Sequence, residues 1–120
     1  VSRIAYNRWA RESSNNRSPT KFKLEKELMK FMSTWTLLPG SVRTAAEQFL
    51  AGEGTPAAGV TLLGRWHSVD CSGGFALYET DNAAALHTGA AKWADLLEIN
   101  TVAVIEDAEA GPSLASVFKK

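Results

Sequence analysis

The chain has 120 residues, the size of one domain, with 45% hydrophobic and 22% charged residues. No apolar run approaches the roughly 18–20 residues of a membrane-spanning helix. Cys71 is the single cysteine, which excludes an internal disulfide and suits a reducing compartment, so the expected location is the cytoplasm with no membrane partner. The formal charge of zero hides an asymmetry: seven bases and three acids precede Met29, and six bases and ten acids run from Met29 onward. An acidic domain lacks the Lys and Arg that phosphate neutralisation needs, so nucleic acid is not an expected partner except through the basic N-terminal stretch.

Residues 1–28 read as a disordered or adventitious basic segment, and 29–120 as the folded domain. Ser13, Ser14, Asn15, Asn16, Ser18 and Pro19 form a polar stretch with no apolar period. Val1 to Ala10 carries Arg3 and Arg8 but no apolar core, unlike a secretory signal. Met29 fits a translation start just before the first strand, with a genuine basic arm as the alternative. Tyr6 and Trp9 among the tail arginines could stack on bases, although one such cluster is common by chance.

Leu24, Leu28 and Met32 recur at helical spacing, while alternation sets in at Phe31, Ser33 and Trp35. The expectation is a helix, if any, ending by Leu28, then a strand over 30–36. Pro39-Gly40 breaks the chain. Ser41 is a good N-cap for a helix whose apolar face is Val42, Ala45, Ala46, Phe49 and Leu50. Gly52, Gly54 and Pro56 end it. A hairpin follows, with strands over 60–67 and 74–79 joined by a polar turn. Asp81 is the expected cap of a second helix, whose apolar face is Ala83, Leu86, Ala90, Trp93, Ala94 and Leu97. A β-branched strand over 99–105 comes next. Glu106, Asp107 and Glu109 precede a short terminal helix, with Pro112 in its first turn and Lys119 and Lys120 at its negative end.

The order β-α-β-β-α-β is the ferredoxin-like arrangement: an α+β fold with both helices on one face of a four-stranded antiparallel sheet, plus a short C-terminal helix. Both sheet faces carry apolar side chains. Trp66, Phe75 and Leu77 share one parity; Leu63, Ala76 and Tyr78 share the other. An apolar open face calls for cover, so a symmetric homodimer through that face is expected.

Lys30-Phe31-Met32 through Trp35, Gly64-Arg65-Trp66-His67, Gly74-Phe75-Ala76-Leu77-Tyr78-Glu79 and Lys92-Trp93-Ala94-Asp95-Leu96 resemble a small bacterial family of unknown function, DUF3303. The resemblance runs from Met29 to about Ala110. It implies an architecture similar to the dimeric α/β-barrel proteins, which include antibiotic-biosynthesis monooxygenases and muconolactone isomerases. It implies no reaction, because that architecture hosts several chemistries.

The candidate ligand-binding residues are Trp35, Arg65, His67 and Tyr78. Arg65 and His67 alternate on one strand and share a face. If Trp66 faces the helices, they line the open face, where Tyr78 could join them in a cleft against a partner. Such a group could orient an anionic or phenolic molecule, with His67 as proton acceptor. The simpler reading has His67 bonding the following loop and Arg65 pairing an acid across the dimer. Trp35 ends the first strand at what would be a cleft mouth, while Trp66 and Trp93 read as packing anchors.

His67 and Cys71 could form a thiolate pair across a turn, but no oxyanion-hole signature accompanies them. His87 reads as a helix-surface residue, and Glu79 as a possible partner of Arg65. His67 and His87 fall in different elements, so no metal site is expected. No cofactor is expected either: Gly52 with Gly54, and Gly73 with Gly74, lack a phosphate loop's context. Two functions remain: a homodimeric small-molecule-binding or interaction module, or a cofactor-independent monooxygenase or isomerase acting on a small aromatic or polyketide-like substrate. The first expects an open face lined by apolar side chains with no enclosed polar cavity. The second expects a pocket of roughly a few hundred Å3 with Arg65, His67 or Tyr78 converging in it, and His67 on the open face rather than the helix side.

Overall fold

The computed structural model describes residues 27–119, so the expectations for the N-terminal segment lie outside the described residues. Residues 27 and 28 are not helical, and strand β1 begins directly at Met29–Leu37. Helix α1, Val42–Gln48, continues into a π-helical turn, Phe49–Glu53. Strands β2, Thr61–His67, and β3, Gly73–Thr80, form the hairpin. Helix α2, Ala83–Trp93, leads to strand β4, Leu97–Val104, and helix α3, Asp107–Phe118.

The four strands pair antiparallel in the order β2-β3-β1-β4, the ferredoxin-like order. Central β1 buries Ser33, and β3 buries Ala76 completely. Among the described residues no helix is long and apolar enough to cross a membrane.

Local chemistry moves several element ends from their expected places. Ser41 does occupy the N-cap position of α1, but its hydroxyl makes no cap bond. Instead Ser41 Oγ lies 2.8 Å from the carbonyl oxygens of both Leu38 and Leu96, donating to one at a time and tying the end of β1 to the start of β4. Asn82, not Asp81, caps α2: its side-chain oxygen accepts from the Ala85 N–H at 3.3 Å. The preceding Thr80 fixes that geometry, since its hydroxyl accepts from the Asn82 N–H and donates to Gly59 O. Strand β4 starts at Leu97 because β1 extends far enough to pair Leu37 with it. Helix α3 starts at Asp107, with the Glu106 carbonyl accepting from Glu109 and Ala110 N–H groups. Acids in the first turn suit that early start. Pro112 therefore sits inside the helix rather than in its first turn.

Glu106 also anchors α3 to the sheet. Lys30 Nζ lies 2.8 Å from Glu106 Oε2 and 3.6 Å from Glu79 Oε2. Glu79 is thus the partner of Lys30, not of Arg65. The hydrogen bond and attraction from Lys30 hold the Glu106 carboxyl below its ordinary value, and Glu106 in turn raises Lys30. A carboxyl depressed in the folded state contributes stability above its unfolded value and loses it as pH falls through the folded one. The raised lysine contributes through neutral pH and loses its share only in strong alkali. The destabilisation by Glu106→Gln is therefore expected near neutral pH and should fade in acid, as pH falls through the depressed Glu106 value. Both groups face water, so it should be small and weaken in salt. Thermal melts of both proteins across pH check this. A cost unchanged at low pH would contradict it.

Candidate ligand-binding cavity

Strand register places the candidate residues. Antiparallel partners share a face, so rows can be read across the sheet from β2 to β4. One row is Leu62, Tyr78, Phe31 and Ala103; the next is Arg65, Ala76, Ser33 and Thr101; the third is His67, Gly74, Trp35 and Ile99. Residues of all three rows line a cavity of about 920 Å3 roofed by α1, the π-helical turn and α2. Trp35, Arg65, His67 and Tyr78 all line it.

This reverses the face assigned to Arg65 and His67. They look toward the helices, and Trp66 looks away with Phe75 and Leu77. The reason lies in two details of β2. Leu63 is a bulge between Leu62 and Gly64, and it swaps the parity of the strand. After the bulge, Gly64 opens a slot on the outer face that the Trp66 indole fills: a Cβ on Gly64 would lie 2.5 Å from that ring. The cleft between sheet and partner is therefore not where Arg65 and His67 sit.

The side chains are held by specific contacts. Arg65 Nη2 donates to Gly54 O at 2.6 Å, and the guanidinium lies 5.4 Å from the Phe49 ring centroid, a cation–π contact. The His67 ring meets Phe49 edge-on at 5.2 Å and Trp35 edge-on at 5.9 Å. The Trp35 indole lies over Gly74, where a Cβ would come within 2.5 Å of it. Tyr78 lies one row away on β3, opposite Phe31.

Phe49 comes from the π-helical turn, whose chain bends at Gly52 with φ 93°, a conformation that favours glycine. The bend aims Phe49 into the cavity and brings Gly54 under the ring, so Arg65 clamps the turn from below. Phe49 was legible in the sequence only as one apolar helix position. Its role depends on the π-helical turn, whose outward sign is the glycine pair Gly52 and Gly54.

Helix α1 contributes Val42, Ala45, Ala46 and, beyond it, Leu50; helix α2 contributes Ala83, Leu86, Ala90 and Trp93. These are the apolar faces expected from the sequence, facing a cavity. His87 is exposed and lines the same cavity from α2. At the rim Lys92 Nζ lies 3.7 Å from Glu53 Oε1, joining the π-helical turn to α2. On the floor, Thr101 Oγ1 donates to Ser33 Oγ at 3.0 Å. Cys71 is a free thiol, exposed in the β2–β3 turn with φ 67°. The ring contacts of His67 are with Phe49 and Trp35, so the thiolate reading has no geometry behind it. Among the described residues no three His, Cys, Asp or Glu side chains cluster as a metal site would need.

A four-stranded antiparallel sheet in this order, with two helices on one face and a cavity between the layers, defines an α+β ferredoxin-like protein. Residues 29–118 match the family described as "Domain of unknown function (DUF3303)", and the chain belongs to that family. No functionally curated protein matches the chain in sequence. It is similar to the crystal structure of PA3566 from Pseudomonas aeruginosa, with 18% identity over 68% of this chain and 97% of that one, at a TM-score of 0.45. A likeness of that size bears on neither the site nor its chemistry.

Proposed function

We propose that the domain is a homodimeric small-molecule-binding module. The cavity between sheet and helices takes a small, mainly apolar ligand, and the open sheet face joins two copies. The carrying observation is a cavity of about 920 Å3 in which aromatic side chains converge with a few polar groups. Ligand sites commonly have this composition and span roughly 300–1,000 Å3. A filled core would be expected to close such a space, since interiors pack as tightly as organic crystals. Trp93 and Leu86 instead stay partly exposed on its wall.

The dimer rests on the other face. Trp66 is 57% exposed, Phe75 49% and Val102 47%, and all three share the face that carries Leu77 and Met32. The monooxygenase or isomerase alternative needed Arg65 and His67 in that same cleft. With both on the helix side, that form of the enzyme reading is withdrawn.

The test uses the neutral fluorophore N-phenyl-1-naphthylamine. One molecule should bind per chain with a rise in emission. Ala90→Trp and Ala46→Phe, which fill the cavity from α2 and α1, should abolish binding while circular dichroism shows a folded protein. Undiminished binding in both filled variants would contradict the cavity as the site.

A further inference from the structure

The charges of the cavity wall point to the kind of ligand, given the binding role proposed above. Glu53 and Lys92 line it together and face each other across the rim. Arg65 lines it without a carboxylate partner among the described residues. Its contacts are a neutral carbonyl, Gly54 O, and the face of Phe49. Neither neutralises a guanidinium, which has five N–H donors to place. The wall therefore keeps one net positive charge, half-buried among aromatic rings.

The floor adds a second cue. The row Arg65, Ala76, Ser33 and Thr101 runs between two rows of rings, Tyr78 and Phe31 on one side and His67 and Trp35 on the other; Ala76 is fully buried, and the rings on both sides line the cavity. At the far end of the row, the bond between Thr101 and Ser33 uses one of their two hydroxyl hydrogens. The other is left to donate. Two strand spacings, about 10 Å, separate Arg65 from Ser33.

We propose that this cavity selects a planar aromatic monoanion. Its carboxylate, sulfonate or similar group docks on Arg65, and its rings pack against the Phe31, Trp35, Phe49 and Tyr78 side chains that line the cavity with it. The guanidinium suits such a group because it offers paired donors in a planar fork. A buried charge left without a counter-ion is unfavourable, so a neutral ligand of the same shape gains less.

Two probes with one ring skeleton separate the claims: 8-anilinonaphthalene-1-sulfonate, which is anionic, and N-phenyl-1-naphthylamine, which is neutral. The sulfonate should bind at least about tenfold more tightly, as a charge-assisted hydrogen bond implies. Arg65→Met should remove that advantage and change the neutral probe's affinity less than about twofold. Arg65→Lys keeps the charge and should keep most of the preference. Ala90→Trp should abolish both, which separates the cavity from the open sheet face. Equal affinities in the parent protein would overturn the anion inference and leave the cavity reading standing. So would an Arg65→Met variant that weakens both probes alike. Binding of neither probe would overturn both readings. If Arg65→Met does not fold, the parent's own ratio and the lysine variant decide the matter.

Discussion

Replacing Trp66 by glutamate is expected to leave the domain folded and to halve the mass of the particle in solution. Trp66 is more than half exposed within its own chain, and its indole rests on Gly64. Little intramolecular packing is lost when it goes. In the proposed dimer it shares an apolar face with Phe75, Leu77 and Met32, on the edge strand β2. A carboxylate placed there would be buried without a partner, at a cost of several kcal/mol. Two-fold symmetry would impose that cost twice. The dissociation constant should rise by three orders of magnitude or more, at about 1.4 kcal/mol per decade. Light scattering with circular dichroism reads both quantities. A folded variant that keeps the parent's dimeric mass would place the interface elsewhere. A monomeric parent would remove the dimer altogether.

Gly73→Ala should be the most destabilising of single-methyl additions in the sheet. A Cβ at Gly73 would overlap the Trp35 carbonyl oxygen, and would lie 2.9 Å from the Trp35 carbonyl carbon and 3.0 Å from Thr36 Cα. All three are backbone atoms of β1, so no side chain can swing aside. Relief requires parting β1 from β3 where Thr36 pairs with Gly73. It also strains the bonds from Leu37 N–H to Ser72 O and from Ser68 N–H to Gly73 O. The expected loss is about 3 kcal/mol or more, a large share of the roughly 5–15 kcal/mol that holds a domain together. In a domain of this size that lowers Tm by about 12 °C or more. Gly89→Ala is the control. It adds its methyl in the middle of α2, where nothing lies within 4 Å, and should stabilise by about 0.5–1 kcal/mol. A Gly73→Ala protein that melts with the parent would refute the close strand approach.

The element order was readable because each element carries its own period. Phe31, Ser33 and Trp35 alternate, and Ala83, Leu86, Ala90 and Trp93 recur at helical spacing. Caps were less legible. Asp81 and Asn82 are adjacent and both cap well, and a hydroxyl 21 residues from its partner, Thr80 on Gly59, decides between them. Ser41 has the right residue type, yet two carbonyls brought together by tertiary structure claim its hydroxyl.

The candidate site shows the same division more sharply. Alternation told that Arg65 and His67 share a face; it could not tell which. A large apolar neighbour such as Trp66 suggests a core-facing side by size alone. Here the absence of a side chain at Gly64 gives the indole a seat outside, and Gly74 gives Trp35 one inside. The Leu63 bulge, which resets parity, has no sequence signal beyond the glycine that follows it. Phe49 and Gly54 join Arg65 only because the chain leaves α1 through a π-helical turn, a feature that local propensity does not announce.

The most direct test of the cavity reading is a two-dimensional NMR titration with N-phenyl-1-naphthylamine, following the indole N–H signals. Trp35 and Trp93 line the cavity, whereas Trp66 occupies the opposite sheet face. Binding in the cavity predicts saturable shifts at Trp35 and Trp93 with Trp66 unmoved. Shifts confined to Trp66, with Trp35 and Trp93 unchanged, would contradict it and give the ligand the outer face.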